Sequence, residues 1–211
     1  MKEGEKTIAF SITSKCEQKC KYCFQKRQVD VSFDKFKEML YSATRQNPHL
    51  TKIVITGGNP ELNKDFWLMC EEVKKKGLKL KIHANYNKKE TWRKFLDYAD
   101  ELTIPIDSLT THFFRSEESS KNFLEAFEYF FGKVNIQVHT VASKKNLAEL
   151  EDIKKFLKRK HFFDTNTWKI FRLVGKGALK KFELTDAEWA QVKVNFSGKH
   201  PASFVDNVLD Y

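Results

Sequence analysis

Two periods of apolar and polar residues alternate along the chain. Residues 7–13 (TIAFSIT) place apolar and polar side chains in turn, the pattern of a strand with one buried face. Over residues 32–45, Phe33, Phe36, Met39 and Leu40 recur at helical spacing behind Ser32, a natural N-cap. The same pair of periods then repeats. Strands are predicted at 52–56, 78–85, 102–107, 134–141 and 168–174, and helices at 65–76, 90–98, 117–131, 147–160 and 186–195. Gly77 and Gly132 stop two of the helices, and Pro105 weakens the fourth strand. Six strands alternating with helices predict parallel β/α units. Six units are too few for a closed eightfold barrel. The expected fold is α/β, a six-unit (β/α)6 partial barrel with parallel strands. Its core spans residues 1–183, and a C-terminal helix and tail, 184–211, pack on it.

Composition narrows the picture. With 211 residues, 41% of them hydrophobic, the chain can bury a sizeable core and is not of the disordered class. No apolar run is long enough to span a bilayer, so no membrane partner is expected. The opening MKEGEKTIAF lacks the apolar core of a signal peptide, which sets a cytoplasmic, reducing compartment as the expectation. Lys and Arg number 38 against 28 Asp and Glu, a net charge of +10. Lysine runs at 74–76, 154–155 and 158–160 fall on predicted outer helices and read as solvated faces. A positive balance also suits an anionic substrate or an acidic partner protein. Nucleic acid is the least supported partner, since no recognition motif accompanies the charge.

The residues with chemistry follow the strands, where active sites of parallel β/α folds lie. A cysteine loop follows the first strand, Gly57-Gly58 the second, Asn85 and Asp107 end the third and fourth, and Gly175-Lys176-Gly177 follows the sixth. Four of the eight glycines lie in two of these turns, which suggests close backbone approach to a ligand; for Gly175 and Gly177 a tight turn explains them equally well. Three of the four cysteines form C-x3-C-x2-C: Cys16, Cys20 and Cys23, with Phe24 after the last. Three thiolates in one loop suit three irons of a 4Fe–4S cube, leaving the fourth iron open. A zinc site completed by His83 or His139 is the alternative, although the spacing fits known zinc motifs poorly. Cys70, within an apolar helical stretch, reads as a buried structural thiol.

The cysteine spacing, with aromatic Tyr22 just before the last cysteine, resembles the signature of the radical S-adenosylmethionine (SAM) superfamily. The resemblance spans about residues 7–179. Thr56-Gly57-Gly58-Asn59-Pro60 is similar to that family's Gly-Gly-Glu-Pro turn, with Asn59 in place of the glutamate. Ile106-Asp107-Ser108 and the run from Phe171 to Gly177 are similar to its SAM-contacting strand ends. The resemblance implies a 4Fe–4S cluster on Cys16, Cys20 and Cys23. It implies SAM contacts from Gly57, Gly58, Asn59, Asn85, Asp107, Ser108 and Gly175, with Arg115 pairing with the SAM carboxylate. The implied activity is reductive cleavage of SAM to a 5′-deoxyadenosyl radical that abstracts hydrogen from substrate. An acidic flavodoxin or ferredoxin is the implied reductant.

Strand alternation adds a reading of the substrate. Lys79, Lys81, His83 and Asn85 share one face of the third strand, and Asn135, Gln137 and His139 one face of the fifth. A polar face carrying Lys81, His83, Gln137, His139 and Lys169 suits a polar or anionic substrate, a small molecule or nucleotide. Trp168-Lys169-Ile170-Phe171 resembles the sixth strand of viperin-like nucleotide dehydratases, but Gln137 and His139 stand where that group carries lysine and asparagine. Peptide- or deazapurine-modifying members, and a non-catalytic zinc or iron–sulfur protein, are the alternatives.

Overall fold

The computed structural model describes residues 6–23, 29–198 and 202–206. Phe24 of the cysteine motif and residues 207–211 of the tail lie outside them. The chain forms two compact units, one of residues 1–17, 24–103 and 130–135, the other of 18–23, 104–129 and 136–211.

The first unit contains four parallel strands, β1 (Lys6–Ser11), β2 (Leu50–Thr56), β3 (Lys79–His83) and, as far as Thr103, β4 (Glu101–Pro105), each paired with the next. Their connections carry α1 (Phe33–Gln46), α2 (Phe66–Lys75) and α3 (Trp92–Tyr98). Ile53, Val54 and Ile55 are buried in succession on β2, as befits a strand covered on both faces. The core is built from Ile53, Ile55, Leu80 and Ile82 of the strands with Phe36, Phe66, Met69 and Phe95 of the helices, each contributing about 1.5–3 kcal/mol by burial. Ser32 caps α1 by accepting from the Lys35 N–H at 3.3 Å. Gly77 ends α2 with φ +70°, a conformation that glycine adopts without penalty.

The second unit holds α4 (Glu117–Phe130) and β5 (Asn135–Ala142) except for Phe130 and Asn135, with α5 (Glu149–Arg159), β6 (Thr167–Arg172), α6 (Asp186–Phe196) and β7 (Ser203–Val205). Burial on β5 alternates residue by residue, with Ile136, Val138, Thr140 and Ala142 inside. Phe127 packs on Phe156 and Phe162, and Trp168 on Phe196. A capping box joins Thr185 and Glu188 at the start of α6.

Strand order follows chain order from β1 to β7, and the described pairings are parallel. The α/β class and the sequential order of a partial barrel hold, with seven strands instead of six. The extra strand, β7, pairs with β6 over three residues, too few to show a period. Pro105 is the last residue of β4, where its missing N–H breaks no interior ladder. Among the described residues no helix is long and apolar enough to cross a membrane.

Candidate functional site

In the first unit the chain entering the cysteine loop is clamped on two sides. Gly58 N–H donates to Thr13 O and Asn59 N–H to Lys15 O, both at 2.7 Å. A Cβ at Gly57 would lie 2.3 Å from Thr13 O, and one at Gly58 2.3 Å from Lys15 O. The approach expected at these glycines was to a ligand; the close neighbour that the structure shows is the chain's own backbone leading into Cys16. On the other side Ser14 N–H donates to Val29 O at 2.7 Å, Val29 N–H donates to Ser14 Oγ at 3.0 Å, and Lys15 pairs with Asp30 at 2.6 Å. Buried Asn63 donates to Val31 O at 2.8 Å and to Asp30 at 3.1 Å.

Asn85, directly after β3, donates from Nδ2 to Cys16 Sγ at 3.2 Å. Its own N–H donates to Asn59 Oδ1 at 3.3 Å, and Asn59 Nδ2 donates to Glu17 at 3.1 Å. One line of hydrogen bonds thus links the turn after β2, the end of β3 and the residues around Cys16. Tyr86 holds this turn in place. It adopts φ 54°, unusual for a bulky residue, and is fully buried, with its hydroxyl donating to Thr103 O at 2.9 Å. Glu61 is buried beside the turn, accepting from Thr91 at 2.7 Å; burial pushes its carboxyl above the ordinary value.

The second unit holds Cys20, Tyr22, Asp107 and Arg115 in one network. Arg115 donates from Nε to Asp107 Oδ2 at 2.8 Å, from Nη1 to Cys20 Sγ at 2.9 Å, and from Nη2 to the Tyr22 hydroxyl. Tyr22 in turn donates to Asp107 Oδ2 at 2.6 Å. The Arg115 and Asp107 side chains are 10% and 4% exposed, so this is a buried ion pair. Burial pushes the Tyr22 phenol well up, which keeps it a neutral donor. Burial alone would weaken the Arg115 charge, but Tyr22, Asp107 and Cys20 outweigh it and drive its pKa up. Asp107 is fixed from behind: its Oδ1 accepts from Val141 N–H at 2.8 Å and its carbonyl from Asn146 Nδ2 at 2.6 Å. Glu149 accepts from the N–H groups of Leu109, Thr110 and Thr111, which holds the next residues of the same segment.

Cys16, Cys20 and Cys23 are free thiols, the first and last exposed and Cys20 half-buried. Soft sulfur donors on one loop, two already receiving hydrogen bonds, are the ligand chemistry an iron–sulfur cluster takes, although among the described residues no three such side chains are gathered about one metal position. The sequence matches the profile of the Radical SAM superfamily over residues 10–157, well over half of its length.

The chain belongs to the radical SAM superfamily.

The cofactors of that superfamily are a 4Fe–4S cluster and SAM. A Methanocaldococcus jannaschii protein described as a "putative glycyl-radical enzyme activating enzyme" is 30% identical over 162 residues, 69% of this chain and 61% of the relative. Streptococcus suis SuiB bound to S-adenosylmethionine shares the fold with a TM-score of 0.73 at 13% identity, over 94% of this chain and 49% of that one. The enzyme anSMEcpe with bound AdoMet and a peptide aligns with a TM-score of 0.70 at 13% identity, over 95% and 62%. The chain therefore spans about half to three-fifths of the length of these proteins.

Other residues expected at the radical SAM site fall into distinct settings. Gln137, His139 and Lys169 share one face of β5 and β6. His139 Nε2 lies 2.6 Å from Gln137 Oε1, the His139 ring packs on Phe171 at 4.8 Å, and Lys169 Nζ is 5.6 Å from that ring. His83 is half-buried at the end of β3. Lys81 is buried and paired with Glu101 at 2.9 Å, and Glu101 also takes Lys52 at 2.9 Å. Ser108 is buried, its Oγ accepting from the His112 N–H. The Gly175 N–H donates to Glu183 at 2.7 Å, and a Cβ there would meet Leu179 at 2.6 Å. Gly177 needs its glycine for φ +54° alone. Cys70 is fully buried, with its thiol pushed well up by burial. Sequence reasoning missed Glu17, Asn63, Tyr86, Asn146 and Glu149. A lone polar residue beside an apolar run was the only signal any of them offered.

Proposed function

We propose that Cys16, Cys20 and Cys23 hold a 4Fe–4S cluster whose open iron takes SAM. The observation that supports this most is the pair of hydrogen bonds aimed at two of the three thiols, from Asn85 to Cys16 and from Arg115 to Cys20. Bound together, the cluster and SAM supply reductive cleavage of the cofactor and a radical that abstracts hydrogen. The chain's own residues hold and orient these groups. Gly57 and Gly58 offer the SAM ammonium group their carbonyl oxygens, and Asn59 supports the turn, its carbonyl accepting from Leu62 N–H and its side chain engaged by Glu17 and Asn85. Ser108 and Gly175 complete the SAM contacts, and Asp107 acts through Arg115 and Tyr22. Gln137, His139 and Lys169 form a polar face for a polar or anionic substrate, a nucleotide among the candidates. Lys21, between two of the cysteines, and Lys145 surround Phe113 with positive charge that suits an acidic flavodoxin or ferredoxin as reductant. The Methanocaldococcus relative favours a second reading, in which the hydrogen is taken from a polypeptide.

Anaerobic reconstitution tests the main reading. The wild-type chain should bind about four irons and release 5′-deoxyadenosine from SAM under dithionite. Replacing any one of the three cysteines by Ala should abolish that release. A zinc-loaded, iron-free protein that leaves SAM intact would end the proposal.

A further inference from the structure

Arg115 lies among three acceptors that leave its guanidinium little freedom. Nε is taken by Asp107 and Nη2 by the Tyr22 hydroxyl, and the group lies 5.4 Å from the Tyr22 ring and 5.0 Å from the Phe123 ring. These contacts fix both the position and the plane of the fork. Nη1 is thereby directed at Cys20 Sγ, at 2.9 Å. The acceptor side is equally fixed. Asp107 is anchored by Val141 and by Asn146, and the Cys20 segment is held by the Lys21 N–H, which donates to Phe114 O at 3.1 Å, and by Ser119 bonding to Gln18. Turning Arg115 away from Cys20 would break a buried ion pair, so the donor is a permanent part of the thiol's surroundings.

A sulfur that ligates iron gains negative charge when the cluster gains an electron. A cationic N–H donor at that sulfur therefore stabilises the reduced form more than the oxidised one, and hydrogen bonds to sulfur are a main control of such potentials. A carboxylate paired with the same donor offsets part of its charge. The sign of each effect follows from this arrangement. Removing the guanidinium should lower the potential, and removing the carboxylate's charge should raise it.

We propose that Arg115 is a positioning residue that raises the reduction potential of the cluster through its hydrogen bond to Cys20, with Asp107 setting the size of that effect. This rests on the reading that Cys20 ligates the cluster. It gives Arg115 a function other than pairing with the SAM carboxylate, and it requires no bound SAM.

Potentiometric titration of the reconstituted full chain, followed by electron paramagnetic resonance without SAM, tests it. Iron content is measured first. If the wild-type chain fails to assemble a four-iron cluster, the underlying reading fails, and not the tuning alone. With the cluster present, Arg115→Met should shift the reduced-to-oxidised ratio at a fixed potential about tenfold toward the oxidised form, ~59 mV for a one-electron couple. Asp107→Asn should shift it the other way. Arg115→Lys keeps the charge and one donor, and should fall between wild type and the Met variant. It also serves if the Met variant does not fold. In the wild type, double resonance should detect exchangeable protons coupled to the cluster, and the contribution of Arg115 should be lost in the Met variant while that of Asn85 at Cys16 remains. Loaded variants with the wild-type midpoint would overturn the proposal, as would shifts of one sign in both Arg115→Met and Asp107→Asn. Variants that fold but load no iron would overturn it too, in favour of a part in assembly.

Discussion

Cys70 and the three loop cysteines are one residue type in two chemical conditions. Cys70 lies in the core between apolar neighbours, and burial keeps it a thiol. Cys16 and Cys20 face polar donors. Replacing Cys70 by Ala should therefore leave the iron content of reconstituted protein unchanged and lower stability by about 1 kcal/mol, a small buried deletion. Iron analysis beside urea unfolding checks both parts; a loss of iron would make Cys70 a fourth ligand. The division into three and one was legible in the spacing. The partners of the three were not. Asp107 and Arg115 are eight residues apart, but Tyr22 is 85 residues from Asp107, and no local pattern announces such a pairing.

The strands and helices were read well because their patterns are local. The polar face of β5 and the cap at Ser32 depend only on neighbours in sequence. The turns depended on what they meet. Gly57 and Gly58 suggested a close approach, but only the fold identifies Thr13 and Lys15 as the segment approached. Gly58→Ala would set a Cβ 2.3 Å from the Lys15 carbonyl and should displace the entry to the cysteine loop. The expected result is a folded chain, by circular dichroism, that loads little iron. Gly132→Ala provides the contrast. Its Cβ meets nothing within 4 Å, so the variant bears only the strain of φ +76°, roughly 1 kcal/mol, and should load iron as the wild type does. Equal iron in both variants would show that the turn does not govern the loop.

At the scale of the whole molecule, the excess of positive charge is balanced unevenly. Several surface lysines meet acids one helical turn away, such as Lys35 with Glu38 and Lys75 with Glu71, and solvent screens such exposed pairs so that they add little. Glu101 is different. Burial alone would raise its pKa, but Lys81 and Lys52 more than offset that and hold it below the ordinary value. Its stabilising contribution is therefore present above about pH 4.3 and is lost as pH falls through the depressed folded value. Glu101→Gln should cost about 1–3 kcal/mol at neutral pH, with variant and wild type converging in acid. Urea unfolding at pH 7 and in acid measures this; a gap that stays constant with pH would assign the acid sensitivity elsewhere. The same carboxylate constrains how this sequence can drift. Because it serves lysines from two neighbouring strands, losing it strands two cations at once, and losing either lysine leaves it half-compensated. Positions 52, 81 and 101 should therefore be inherited as a set, and related chains with a neutral residue at 101 should have exchanged both lysines.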